Sequence, residues 1–278
     1  FSQSIGVDAN DYVSYNLRAG CYCKTKKYDL AVTDYTQAIE LYANDAELYK
    51  NRGECYRLQE SYELAITDFT KAIEIDASDY LSYNSRGVCY LKTKKYDLAV
   101  TDYTQAIELY ANDAELYKNR GECYRLQESY ELAITDFTKA IEIDASDYLS
   151  YNSRGVCYLK TKKYDLAVTD YTQAIELHHN DTTLYENRGA CYQLQKNYDL
   201  ALNDYTKVIE LEPNKLEGYL HRAGCYKTQK NYELALNDYT KVIELEPNKL
   251  EGYLHRAGCY KTQKNYELAL NDYTKVIE

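Results

Sequence analysis

The sequence has no tryptophan and no methionine, and its 278 residues include only 2 prolines, 11 glycines and 4 histidines. So few turn-forming residues exclude a turn-rich all-β sandwich, whose short strands need frequent punctuation. No apolar run approaches the roughly 18 residues that cross a bilayer, so no membrane insertion is expected. Basic residues are in deficit, with 33 Lys and Arg against 44 Asp and Glu and a net charge of −11. Phosphate contacts need a basic surface, so nucleic acid is not an expected partner. Phosphate loops, nucleophile elbows and HExxH zinc motifs are also missing. The chain is therefore expected not to be an enzyme and to need no cofactor or metal. At 45% apolar it is still no disordered polyanion. What it has in excess is tyrosine: 35, against 3 phenylalanines.

Internal repetition orders these tyrosines. Residues 24–109 recur unchanged as 92–177, a shift of 68, and residues 200–244 recur as 234–278, a shift of 34. The unit is 34 residues, and 68 is two of them. Framed on tyrosine, the units run 12–45, 46–79, 80–113, 114–147, 148–181, 182–215, 216–249 and 250–278, the last one short. Residues 1–11 read as the end of a preceding unit, so the chain is expected to be a piece of a longer array. Copies this perfect imply either recent duplication or engineering. Positions 4, 11, 17 and 24, counted from the first residue of each unit, are always Tyr or, at Phe69 and Phe137, Phe. Such a strict register is what a packing role requires.

Within a unit the pattern is that of two helices. Tyr49, Arg52, Gly53 and Tyr56 follow the spacing of one helical face, and so do Tyr62, Ala65, Phe69, Ala72 and Ile73. Gln59-Glu60-Ser61 between them is short enough for an antiparallel hairpin. Asp76-Ala77-Ser78-Asp79 marks the second break and offers Ser or Asp as the next N-cap. Neither helix buries its apolar stripe alone, so neighbouring units must stack.

The pattern resembles the tetratricopeptide repeat. In the sixth unit the family's motif is matched by Tyr185, Gly189, Tyr192, Tyr198, Ala201, Tyr205, Val208 and Pro213. The chain departs from it where Ala43, Ala77, Ala111, Ala145 and His179 stand for the usual proline, and where Val208, Val242 and Val276 stand for a second-helix alanine. The resemblance implies an all-α solenoid: a right-handed superhelix of stacked antiparallel helix pairs, with the first helices lining a concave groove. It also implies a non-catalytic scaffold that binds an extended peptide or a short helix of a partner protein.

Two charged positions recur in every unit. Position 7 is arginine (Arg18, Arg52, Arg86, Arg120, Arg154, Arg188, Arg222 and Arg256). Position 23 is aspartate (Asp34, Asp68, Asp102, Asp136, Asp170, Asp204, Asp238 and Asp272). A buried guanidinium needs a bidentate partner, so these residues are read as interhelical ion pairs in preference to an arginine ladder for an anion. Position 10 is cysteine in every unit (Cys21, Cys55, Cys89, Cys123, Cys157, Cys191, Cys225 and Cys259), and Cys23 is the one extra. Like positions in successive units stand roughly 10 Å apart, beyond disulfide reach, and no CxxC spacing occurs. Nine unpaired thiols are thus expected, and with them a reducing, cytoplasmic location. His178, His179, His221 and His255 have no convergent carboxylate or nucleophile that would make them catalytic.

In arrays that share this resemblance, first-helix positions 2, 5, 9, 12 and 13 face the concavity and position 6 lies near its edge. On that basis the groove is expected to alternate apolar and charged bands. Leu81, Asn84, Val88 and Leu91 are repeated by Leu149, Asn152, Val156 and Leu159, while Lys50 and Arg57 are repeated by Lys118 and Arg125. Asn16, Asn84 and Asn152 at position 5, with Asn51, Asn119 and Asn187 at position 6, form a partial ladder. Asparagine both donates to and accepts from a peptide backbone, so such a ladder holds an extended chain without reading its sequence. A chaperone C-terminal tail is disfavoured. Lys50 and Lys118 match the lysine of that clamp, but Glu54 and Glu122 replace its asparagine and would repel a carboxylate.

The leading reading is a protein-interaction scaffold with a partner segment in the groove. Two alternatives accompany it: end-to-end self-association of an array, natural or engineered, without a separate ligand, and a substrate-recruiting segment of a larger enzyme.

Overall fold

The computed structural model describes residues 11–278, so the expected tail of a preceding repeat, apart from Asp11, lies outside the described residues. These residues form sixteen helices and no strand. They divide into two compact units, Phe1–Ala145 and Ser146–Glu278. The first contains α1 (Tyr12–Lys24), α2 (Tyr28–Leu41), α3 (Ala46–Leu58), α4 (Tyr62–Ile75), α5 (Tyr80–Lys92), α6 (Tyr96–Leu109), α7 (Ala114–Leu126) and α8 (Tyr130–Ile143). The second contains α9 (Tyr148–Lys160), α10 (Tyr164–Leu177), α11 (Thr182–Leu194), α12 (Tyr198–Leu211), α13 (Leu216–Thr228), α14 (Tyr232–Leu245), α15 (Leu250–Thr262) and α16 (Tyr266–Ile277). In each unit odd and even helices pair as hairpins, and each hairpin packs on the next. The fold class is all-α, built of stacked antiparallel helix pairs.

Helix ends follow the sequence closely. Asp11, Asp45, Asp79, Asp113, Asp147 and Asp181 cap six first helices, each carboxylate accepting from the backbone N–H two residues on. This satisfies a donor that has no partner inside the helix. Lys215 and Lys249 occupy the same place before α13 and α15 and provide no side-chain cap. The turn inside each hairpin is made without glycine. Lys26, Glu60, Lys94, Glu128, Lys162, Lys196, Lys230 and Lys264 all lie at φ between 59° and 63°. The N–H of the following residue then bonds back to the tyrosine at position 11, as in Lys27 to Tyr22 and Lys95 to Tyr90. This is a Schellman closure with a side chain where glycine is favoured.

The core repeats as the helices do. Ala, Cys and aromatic side chains at positions 8, 10, 20, 24 and 27 are buried in most repeats, with Cys21 and Tyr273 in the end repeats as exceptions, and Tyr103, Tyr171, Tyr205, Phe69 and Phe137 are the largest of those fully enclosed. Volume is exchanged between neighbouring repeats. At two of the alanines in position 27, Ala38 and Ala106, the next repeat offers a leucine, Leu48 and Leu116, to the same cluster. Where it grows to Val208 and Val242, the facing residue shrinks to Gly218 and Gly252, and a Cβ there would stand 3.0 and 3.2 Å from the valine. The departures from the family's alanine are thus compensated by close packing.

The arginines sit at the junction of three helices. Each donates through Nε and Nη2 to both oxygens of the aspartate sixteen residues on, at 2.6–2.9 Å. The aspartates are buried. In Arg52, Arg86, Arg120, Arg188, Arg222 and Arg256 the remaining nitrogen, Nη1, donates to a threonine of the preceding repeat at 3.0–3.2 Å; Arg52 to Thr36 and Arg86 to Thr70 are two of these bonds. Every guanidinium also lies 5.7–5.8 Å from the ring of the tyrosine three residues before it. Five reach the tyrosine four residues after as well. Bonds to Asp68 hold the Arg52 guanidinium above its already high ordinary value. Burial pushes the carboxyls of Asp102, Asp170 and Asp204 upward, and the paired arginines draw them partly back.

Two substitutions test this account by urea unfolding. Asp102→Ala leaves the Arg86 guanidinium half-buried without its carboxylate and should cost about 3–5 kcal/mol. Lys94→Gly relieves a left-handed backbone at an exposed side chain and should stabilise by roughly 0.5 kcal/mol, the entropy cost of glycine included.

Candidate functional site

Three successive first helices of the Phe1–Ala145 unit converge on a cavity of about 370 Å³. α3 supplies Lys50, Asn51, Glu54 and Arg57, α5 supplies Leu81, Asn84, Ser85 and Val88, and α7 supplies Glu115 and Asn119, with Phe69 from α4 completing the lining. Seven of the expected groove residues therefore meet in one place: Lys50, Asn51, Arg57, Leu81, Asn84, Val88 and Asn119. Asn16, Leu91, Lys118 and Arg125 do not line it. Leu91 packs against the cluster around Tyr103 instead, and Val88 serves both cluster and cavity.

The charged band is internally balanced. Arg57 donates to both oxygens of Glu54 at 2.5 and 2.8 Å, and Arg125 does the same with Glu122 at 2.5 and 2.7 Å. Lys50 reaches Asp79 at 3.1 Å and Lys118 reaches Glu115 at 2.6 Å. These cations already carry carboxylates, which leaves the amides as the groups with spare hydrogen-bonding capacity. Asn84 Oδ1 is buried and accepts no hydrogen bond. Amides paired this incompletely are suited to a ligand that brings its own donors and acceptors, as a peptide backbone does.

In the Ser146–Glu278 unit, Asn187 Nδ2 donates to Asn152 Oδ1 at 3.3 Å, joining two rungs of the ladder. Val156 and Leu159 pack against the cluster of Ala167, Tyr171 and Cys191, while Leu149 is exposed. A second cavity, of about 590 Å³, opens between α11, α13 and α15. Leu220, His221, Gly224, Lys227, Lys249 and His255 are among its lining residues. None of these was singled out for the groove, although the position rule applied to the seventh and eighth repeats points to Leu220, Gly224 and Lys227. His221 and His255 stack on Tyr205 and Tyr239, with ring centroids 5.2 and 5.5 Å apart, and His178 stacks on Tyr148 at 4.5 Å.

The cysteines require a correction. Nine unpaired thiols were expected, but Cys23 and Cys55 form a disulfide, with Cα atoms 6.7 Å apart. The expectation compared like positions in successive repeats. Cys23 lies at position 12, two residues beyond Cys21, which brings it to Cys55 of the next first helix and within the span a disulfide bridges. The argument for a reducing compartment loses its premise. No described helix is long and apolar enough to cross a membrane. Of the remaining thiols Cys21 is exposed and six are buried. Burial pushes Cys89, Cys123 and Cys191 up to about 12 and Cys225 to about 11. No group of His, Cys, Asp and Glu among the described residues is arranged to hold a metal ion.

The family described as tetratricopeptide repeat matches residues 46–79, 80–113, 114–147, 148–181, 183–215 and 216–249. A second form of the same description matches 12–45 and 250–278. No curated protein sequence matches the chain. Among solved structures, the C-terminal part of a TPR repeat-containing protein from Cytophaga hutchinsonii is 20% identical with a TM-score of 0.74, over 84% of this chain and 96% of that one. A tetratricopeptide repeat protein from Parabacteroides merdae is 19% identical with a TM-score of 0.63, over 93% of this chain and 98% of that one. YrrB, described as a TPR protein with an unusual peptide-binding site, is 27% identical with a TM-score of 0.60, over 66% of this chain and 95% of that one.

The thiols provide a test of the packing. In the native protein without reductant, Cys21 alone should react with an aromatic disulfide reagent at neutral pH, and six more thiols should appear on unfolding. Because burial raises the folded thiol values, their contribution to stability is complete below the unfolded value of about 8.5. It is lost as the pH rises from there towards about 12. A melting temperature that holds constant from pH 8 to pH 11 would contradict this.

Proposed function

The chain belongs to the tetratricopeptide repeat family, and from that premise we propose that it is a non-catalytic interaction scaffold holding an extended segment of a partner protein against its first helices. The observation that carries this reading is the convergence of α3, α5 and α7 on one cavity, lined by amides and flanked by apolar Leu81 and Val88. An extended peptide presents one N–H and one C=O per residue. Asn51, Asn84 and Asn119 provide acceptors and donors on neighbouring helices for such a chain, and Leu81 and Val88 provide apolar contact for its side chains. Helices fixed by the arginine network are ordered before the ligand arrives, which lowers the entropic cost of binding. YrrB, similar over 66% of this chain, carries a peptide-binding site in its description, and this supports the reading by analogy.

On this reading Lys50, Arg57, Lys118 and Arg125 shape the groove and keep its potential balanced, their charges being answered by Asp79, Glu54, Glu115 and Glu122. Asn16 adds an amide in the first unit, while in the second unit Asn152 and Asn187 form their own pair of rungs and exposed Leu149 offers apolar contact.

The test is a peptide-display selection on the intact protein, followed by the triple variant Asn51→Ala, Asn84→Ala, Asn119→Ala. Each lost hydrogen bond is worth about 0.5–1.5 kcal/mol, so selected peptides should bind at least about tenfold more weakly with helicity unchanged. Equal affinity in the triple variant would sink the proposal.

A further inference from the structure

The larger cavity, between α11, α13 and α15, differs from the first in its charges. Elsewhere a basic residue at the same register position holds a carboxylate. At position 12 Arg57 holds Glu54 and Arg125 holds Glu122. At the residue preceding a first helix, Lys215 holds Glu186 at 3.0 Å and also donates to Thr182 at 2.9 Å. In the seventh and eighth repeats both partners are replaced. Gly224 stands where Glu54 and Glu122 stand, and Leu220 stands where Glu186 stands. Neither Lys227 nor Lys249 has a carboxylate within 4.0 Å among the described residues. Both are half-buried.

Lys249 is also costly to its own helix. Six first helices carry a capping aspartate at this place, whereas Lys249 gives α15 no side-chain cap and puts a positive charge at the positive end of the helix dipole. Lys215 bears the same cost but has Glu186 to offset it. Lys249 has no such offset among the described residues. A residue that breaks a local rule without internal compensation points to a role outside the fold.

There is also room for a ligand. A Cβ added at Gly224 would meet nothing within 4 Å. Glu217 and Glu251 also line the cavity, but both are exposed, and Glu251 lies 3.6 Å from His255. Exposed carboxylates at the rim are screened by water and salt, while Lys227 and Lys249 are half-buried residues of the lining. Charges farther away than the roughly 8 Å screening length at physiological salt are largely screened, so the residues that line the cavity weigh more on a ligand inside it than the net charge of −11 does.

We propose that this cavity takes a carboxylate side chain from an acidic segment of a partner peptide, with Lys227 and Lys249 donating to it in place of the glutamates that their counterparts hold. The inference rests on the peptide-groove reading above and adds the charge of the ligand. It differs from the chaperone-tail clamp, whose lysine and asparagine positions are occupied here by Leu220 and Gly224.

The experiment uses the full chain and fluorescein-labelled peptides of one length: Glu-rich, Lys-rich and uncharged Gly/Ser. By fluorescence polarisation at physiological salt the Glu-rich peptide should bind at least tenfold tighter than the other two, and 1 M salt should remove that preference. Gly224→Glu places in the seventh repeat the residue that the second and fourth already have, into open space and at a helical position that favours glutamate over glycine. It should reduce Glu-rich binding at least tenfold, as should Lys227→Gln combined with Lys249→Gln, with circular dichroism unchanged. A Glu-rich peptide that binds no tighter than the uncharged one, or that is indifferent to both variants, overturns the inference. If peptides selected by display still bind in an asparagine-dependent way, the groove reading survives that failure. If no peptide of any composition binds, both fall.

Discussion

The guanidinium at position 7 is the group on which the rest of the architecture turns. Placed against the packed side of a first helix, it is intolerable there unless its donors are met. The structure meets them with the two oxygens of a buried aspartate on the second helix and, as at Arg86, with a threonine hydroxyl from the repeat before. One side chain thereby fixes the hairpin internally and fixes the hairpin to its neighbour. The tyrosines before and after it lie against the delocalised cation, which an ammonium would exploit less well. This explains why the aromatic register is dominated by tyrosine on the first helix. A ring at positions 4 and 11 has to be apolar enough to pack and must accept a cation near its face.

Once the hairpins are held in this way, the residues not engaged in packing are left on the first-helix face, and their chemistry can vary from repeat to repeat without cost to the fold. The two cavities show the range. In the first, each positive charge is answered by a carboxylate in reach, so what remains to be satisfied is amide hydrogen bonding. In the second, two lysines have lost their carboxylates because glycine and leucine occupy the partner positions. The contrast between Lys215 and Lys249 is instructive because the stretches that contain them, residues 200–244 and 234–278, are copies of one another. The same residue in the same local sequence holds a carboxylate in one case and has none in reach among the described residues in the other, because position 5 of its repeat is Glu186 in the first and Leu220 in the second.

Several features could be read before any coordinates. A period of 34 residues, aromatics at four fixed positions and helical spacing between them allow only paired helices that stack. The capping aspartates follow from residue type and place. Seven of the groove residues that the family resemblance implies from repeat position do share a cavity. Leu91 and Leu159 obey the same rule yet turn towards the core. A leucine at the margin of a helical face goes wherever apolar area is available, and the pattern of one repeat does not contain its neighbour's surface. The Cys23–Cys55 pairing was missed for a related reason: it joins unlike positions of adjacent repeats, and a comparison of like with like does not see it.

By itself, then, the sequence determined what is local or periodic: the helices, their caps, the hairpin turns, the class of the fold, and the recurrence of an arginine with an aspartate sixteen residues on. Those properties depend on backbone preferences and on spacing along one chain segment. Tertiary structure decided what depends on distance between segments. It set the threonine that meets Arg52, Arg86 and their counterparts, the exchange of volume between Val208 and Gly218, the disulfide, the unsatisfied Asn84 and the two lysines with no carboxylate in reach among the described residues. A side chain's partner is chosen by what the neighbouring helix brings within about 3 Å, and a repeat sees that only after it has stacked.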